Sequence, residues 1–167
     1  ARGCVVTAMP ANSSAQDFIS RKPDGIVLSP GPGDPARLTG AIDTVKELVG
    51  KFPILGICLG SQVIAHAFGG TTFKLKFGHR GSNHPVKDVR TSKVYITAQN
   101  HGYAVDPNSL PASLIVSHVN LNDGTVEGLR HASMPVMGIQ YHSEASPGPL
   151  DSGYIFDDFL EMVDASS

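Results

Sequence analysis

The chain has 167 residues, 41% of them hydrophobic and 17% charged, which is enough for one domain with a substantial core and too little for two full-sized ones. Thirteen basic residues stand against fifteen acidic ones, a net charge of −2, and no basic run exceeds Arg21-Lys22, so neither nucleic acid nor an anionic membrane is an expected partner. No apolar stretch reaches the roughly 18 to 20 residues of a membrane helix, and two cysteines, Cys4 and Cys58, form neither a disulfide framework nor a metal spacing; a soluble protein of the reducing cytoplasm, without a metal site, is the expectation.

In chain order, residues 3–8 read as a strand with Cys4 desolvated inside it, residues 14–20 as a short helix, and "DGIVLS" as a second strand that empties into the loop "PGPGDP". Leu38, Ile42, Val45, Leu48 and Val49 then fall on one face of a helix over about 38–49. Residues 53–57 read as a buried strand and 62–68 as a helix, with Cys58 at the turn between them. After Gly70 the texture changes to short β-rich segments, "TTFKLKF", "KVYITAQ", "SLIVSHV", "GTVEGLR" and "VMGIQY". A last helix, "YIFDDFLEMV", turns Ile155, Phe156, Phe159, Leu160 and Val163 inward. The pattern predicts an α/β fold, a mostly parallel central sheet flanked by helices, with a more β-rich second half.

Three motifs carry chemistry. In "GICLG", Gly56 and Gly60 flank Cys58 as the glycines of a G-x-S-x-G elbow flank its serine, so the side chain is expected to stand exposed at a sharp turn. The following helix aims unpaired N–H groups and its positive dipole end at the sulfur, which favours thiolate over thiol, and the N–H of Leu59 is placed to receive an oxyanion. A lone cysteine would read as buried and structural; the paired glycines favour a nucleophile. In "QYHSEASPGP", His142 ends an apolar strand and Glu144 follows two residues later, so both can lie on one side of extended backbone, the carboxylate orienting the imidazole. His66, His118 and His131 offer no acidic neighbour in sequence. The loop "SPGPGDP" holds Gly31 and Gly33 between prolines, a rigid turn whose backbone can approach a ligand closely; a phosphate loop is disfavoured because no Gly-Lys-Ser/Thr follows.

Together, "PGPGDP", "GICLGSQ" and "HSEASPGP" resemble a class I (triad) glutamine amidotransferase. The connecting segments "FKLKFGHRGSNHPVKD" and "ITAQNHGYAVD" resemble the glutaminase domain of the carbamoyl-phosphate synthase small subunit, and the likeness runs over residues 2–163. The resemblance implies a flavodoxin-like three-layer fold in which residues 1–167 form the glutaminase domain without its first strand and helix. It implies Cys58 as nucleophile, His142 as base and Glu144 as its orienter, with the backbone N–H groups of Gly31 and Leu59 as oxyanion hole. Gly31, Gly33, Leu59, Gln62, Asn100, Gly102 and Tyr103 would hold the glutamine. No cofactor is implied in this chain; ATP and magnesium belong to the implied partner, a carbamoyl-phosphate synthase large subunit or fused synthetase domain that takes up the ammonia for arginine or pyrimidine synthesis. The family's usual His-Pro-Glu is here His142-Ser143-Glu144, and Ser61 stands where many relatives carry histidine.

Overall fold

The computed structural model describes residues 2–144 and 152–166. Helix α1 (Ala15–Arg21) starts at a capping box: the Ser14 backbone N–H donates to the Asp17 carboxylate at 2.8 Å and the Asp17 N–H donates to the Ser14 hydroxyl at 3.3 Å, satisfying two donors that a helix start leaves unpaired. Strand β1 (Ile26–Leu28), helix α2 (Thr39–Leu48), strand β2 (Ile54–Ile57) and helix α3 (Leu59–Ala67) follow. Then come β3 (Thr72–Asp88), β4 (Val94–Val105), β5 (Leu114–Asn120), β6 (Val126–His131), β7 (Val136–Ile139) and the final helix α4 (Tyr154–Asp164).

The seven strands form one sheet in the order β1-β2-β7-β6-β5-β3-β4. Pairing is parallel from β1 to β2 and from β2 to β7, and antiparallel across the remaining four junctions. The α/β first half and β-rich second half are as expected, but the sheet is mixed rather than mostly parallel. The reason lies in the connections: short loops between β3, β4, β5, β6 and β7 leave no room for crossover helices, and strands joined that way pair antiparallel.

Side-chain alternation along β2 divides the core into two layers. Ile54 packs with Ala15, Ile26, Leu48, Ile64 and Val136 beneath α1, α2 and α3. Leu55 and Ile57 point the other way and join Met137, Ile139, Ile155, Phe159 and Val163 beneath α4. Helices therefore cover both faces, each buried aliphatic or aromatic side chain contributing about 1.5–3 kcal/mol.

Three expectations change on folding. Residues 3–8 form no strand: Val5 is 99% and Val6 85% exposed, and Cys4 is exposed instead of desolvated. Apolar residues become a strand only when a neighbour accepts their backbone bonds, and no described strand pairs with this segment. Helix α3 begins at Leu59 rather than Gln62 because Cys58 is itself the N-cap. Strand β3 continues well past Phe77, to Asp88, through two register shifts against β4, where glycines and polar residues hide the strand pattern. Residues 145–149 of "HSEASPGP" lie outside the described residues.

Candidate active site

The turn after β2 is held by steric necessity. Cys58 adopts φ 52° and ψ −107°, a strained conformation for a residue with a side chain. A Cβ on Gly56 would lie 2.5 Å from the Gly60 carbonyl, and one on Gly60 would lie 2.3 Å from the Leu28 carbonyl oxygen. Both positions must be glycine for α3 to pack this closely on β1 and β2. The Cys58 N–H donates to the Ile139 carbonyl at 2.8 Å, so the nucleophile candidate is stitched to the end of β7, next to the segment that carries His142. The pairing of β2 with β7 and this bond bring Cys58 and His142 together across the long sequence between them.

Cys58 is only 4% exposed. The elbow thus does not lift the thiol into solvent as expected; the sulfur forms the floor of a cleft of about 410 Å³. Its walls are the loop at 30–33, the first turn of α3, and β4 from Asn100 to Tyr103, with Arg80 at the rim. Gly31, Gly33, Cys58, Leu59, Gln62, Asn100, Gly102, Tyr103 and His142 all line this space, and Glu144 stands behind His142. Gly31 abuts Leu59 so closely that a Cβ on it would lie 2.8 Å from the Leu59 Cδ2, which brings the two expected oxyanion donors to one end of the cleft. The N–H groups of Leu59 and Gly60, in the first turn of α3, have no intrahelical acceptor to reach.

His142 Nδ1 lies 2.7 Å from Glu144 Oε1. A carboxylate only accepts, so Nδ1 carries a proton and Nε2 faces the cleft. Buried Nε2 has no hydrogen-bond partner among the described residues, which leaves it available to the thiol proton. The neighbouring Cys58 sulfur and then Glu144 raise the imidazole to about 10, against the opposing effect of burial. Burial pushes the Glu144 carboxyl up, but the bond to His142 and the local backbone outweigh it and hold it below its ordinary value. The arrangement sets a carboxylate-held imidazole beside the Cys58 sulfur, the setting in which a cysteine can act as a nucleophile.

Behind the β4 wall lies a polar network that the sequence reading missed. Glu127 on β6 is fully buried; its carboxylate accepts from Gln99 Nε2 at 2.8 Å and from Asn120 Nδ2 at 2.9 Å, and faces His79 Nδ1 at 3.6 Å. His79 reaches Asp123 with its other nitrogen at 2.9 Å. Glu127 and then Asp123 raise the His79 pKa against burial, whereas burial lowers that of His101. His79, His101 and Glu127 bring potential metal-ligand atoms within 4.8 Å of one another. Each of the three is engaged by protein: His101 by Tyr103 O and Gln99 Oε1, Glu127 by two carboxamides, His79 by Asp123. Apart from His79 Nδ1, which has no hydrogen-bond partner among the described residues, the cluster is engaged as a hydrogen-bonded brace for the cleft wall. His118, in a separate buried pocket, bonds Tyr154 at 2.8 Å and is pushed down to about 4 by burial. Gln140, read from sequence only as part of a strand, reaches the Cys58 sulfur. A polar residue ending an apolar strand two positions before His142 was the available signal.

No helix among the described residues is long and apolar enough to cross a membrane. The sequence profile described as "Glutamine amidotransferase class-I" matches residues 1–162. The carbamoyl phosphate synthase small chain of Staphylococcus haemolyticus is 57% identical over 163 residues, covering 97% of this chain and 44% of its own length. The protein of the same name from Akkermansia muciniphila is 55% identical over 164 residues, covering 98% and 44%. The chain thus spans less than half the length of these relatives. The crystal structure of a glutamine amidotransferase from Thermotoga maritima superposes with a TM-score of 0.66 at 23% identity, over 84% of this chain and 65% of that one. A GMP synthase component from Thermoplasma acidophilum superposes with a TM-score of 0.80, also at 23% identity, over 95% of this chain and 80% of that one. At such identity both speak to the fold alone. With a matching profile along nearly its whole length, that fold, and a cysteine elbow facing a carboxylate-held histidine, the chain belongs to the class-I glutamine amidotransferases.

Proposed function

We propose that this chain is the glutaminase domain of a carbamoyl-phosphate synthase, hydrolysing glutamine through Cys58, His142 and Glu144 and passing the ammonia to a synthetase partner that uses ATP and magnesium. The observation that carries the chemistry is His142: Nδ1 fixed by Glu144 at 2.7 Å and a partnerless Nε2 turned to the cleft that has Cys58 as its floor. His142 takes the thiol proton, and the sulfur attacks the side-chain amide carbon of glutamine. The N–H groups of Gly31 and Leu59 receive the oxyanion. As the C–N bond breaks, Nε2–H protonates the leaving nitrogen, giving ammonia and a thioester on Cys58. A water, deprotonated by His142, then attacks the thioester carbon and releases glutamate and the thiol. Gly33, Gln62, Asn100, Gly102 and Tyr103 hold the substrate.

The acceptor is inferred from the names of the relatives, carbamoyl phosphate synthase small chain. Ammonia is mostly protonated at neutral pH and then no longer nucleophilic, so direct transfer to a docked synthetase is the useful course. Ammonia release from glutamine should fall about 10²- to 10⁴-fold in His142→Asn with the circular dichroism spectrum unchanged, and less in Glu144→Gln. Full activity in a folded His142→Asn protein would put the base elsewhere. Stimulation of carbamoyl phosphate formation by a matched synthetase, and not of another amidation, tests the acceptor. A folded chain that releases no ammonia with or without that synthetase would make the site idle.

A further inference from the structure

Gln140 lies 2% exposed at the end of β7, a strand whose four residues are all apolar or glycine and all buried. A carboxamide taken out of water there is costly unless its oxygen and nitrogen both find partners. Its Oε1 accepts from Gln62 Nε2 at 2.7 Å, and its Nε2 lies 3.5 Å from the Cys58 sulfur, a normal separation for an N–H···S contact.

The direction of this chain is fixed. Gln62 Nε2 also donates to the Tyr103 backbone carbonyl at 2.8 Å, and a carbonyl can only accept, so the Gln62 amide cannot turn over. With the NH₂ of Gln62 facing it, Gln140 must present oxygen to Gln62 and N–H to the sulfur. The reverse orientation would set two NH₂ groups against each other and aim a carbonyl dipole at the sulfur.

We propose that Gln140 is a further catalytic residue of this site, its N–H stabilising the Cys58 thiolate from the side opposite the solvent, locked in that orientation by Gln62 and the Tyr103 carbonyl. This rests on the reading of Cys58 as the nucleophile. Gln62 and Tyr103 also line the cleft, so the lock that holds the donor on the sulfur is part of the cleft wall. Among the described residues, the charged or titratable groups that line the same cleft are His142, with Glu144 behind it, Arg80 from β3, and His101 and Tyr103 from β4; the first turn of α3 adds its dipole and its first N–H groups.

The test is the pH dependence of iodoacetamide alkylation in the full chain, read peptide by peptide by mass spectrometry. Exposed Cys4 serves as the reference thiol in the same molecule. In Gln140→Met the midpoint of the Cys58 profile should move up by about one pH unit, the size expected for losing a hydrogen bond to a charged group, while that of Cys4 stays put. Gln140→Glu, which puts a carboxylate against the sulfur, should move it further. The shift should persist in a His142→Asn background, which separates it from the imidazolium. Should Gln140→Met fail to fold, Gln62→Leu unlocks the amide and must also move the Cys58 midpoint up. A Cys58 profile coincident with wild type in a folded Gln140→Met or Gln62→Leu protein overturns the proposal, even where wild type releases ammonia. A shifted profile in a chain that releases none leaves the role of Gln140 standing and counts against glutamine hydrolysis.

Discussion

The two walls of the cleft are built by opposite means. The nucleophile wall, β1, β2, β7 and α3, is parallel and apolar, and its precision comes from exclusion: at Gly56 and Gly60 a single added carbon would lie within 2.5 Å of backbone. The β4 wall is backed by the antiparallel strands β3, β5 and β6, and its precision comes from a polar brace: Gln99 and Asn120 donate to a fully buried Glu127, which His79 faces at 3.6 Å. A strained Cys58 at φ 52° needs a support that cannot relax. A strand proposed to contact substrate needs backbone carbonyls and N–H groups held in place without apolar side chains intruding. Steric exclusion tolerates no change of size, and a hydrogen-bonded brace tolerates no change of polarity.

Gly60→Ala should produce the largest effect, because its Cβ meets the Leu28 carbonyl and neither backbone can yield: at least about 4 kcal/mol of stability lost, seen as a fall in the urea midpoint. An unchanged midpoint would show that the elbow is looser than its geometry. Glu127→Leu, near in volume but unable to accept, should cost about 3 kcal/mol by removing the buried acceptor that Gln99 and Asn120 share and that His79 faces, and should weaken glutamine binding more than it slows alkylation of Cys58. Equal damage to both would mean that the two walls are one unit.

Glu127→Gln should cost about 1 kcal/mol, and its pH dependence is diagnostic. His79 is raised above its ordinary value by Glu127 and then Asp123, against burial. The stability this pair contributes is therefore full below pH about 6.5, the unfolded value, and is lost as pH rises through the folded value. The gap between wild type and Glu127→Gln, read from melting temperatures, should be widest below about pH 6.5 and narrow as the medium turns alkaline; a gap that widens with pH would mean that His79 is neutral in the fold. The smallest effect is expected outside both walls. Val5→Ser and Val6→Ser, at 99% and 85% exposure, should change stability by no more than about 0.5 kcal/mol.

The nucleophile wall was largely legible in sequence because its devices are local. Two glycines around a cysteine, a short apolar run and a helical period each announce themselves within a few residues, and the Ser14 and Asp17 cap does the same for α1. The polar wall was not. Nothing in the local pattern of "GTVEGLR" singles out Glu127, and His79, Gln99 and Asn120 are scattered over three strands; only the register of β3, β4, β5 and β6 brings them together. The run at 3–8 shows the reverse failure, a strand pattern without a strand, because propensity describes a residue's fitness for a sheet and cannot supply the partner.

The sequence by itself determined the elbow, the alternation that splits Ile54 from Leu55 and Ile57 between two core layers, and the His142 and Glu144 pair, since each depends on spacing within one segment. Only the tertiary structure decided that Cys58 lies on a cleft floor rather than at a surface, that its N–H reaches Ile139, and that Gln140 faces its sulfur. Those facts depend on β2 and β7 being neighbours in the sheet, a pairing fixed by burial of apolar faces from residues far apart in the chain, which no local pattern encodes.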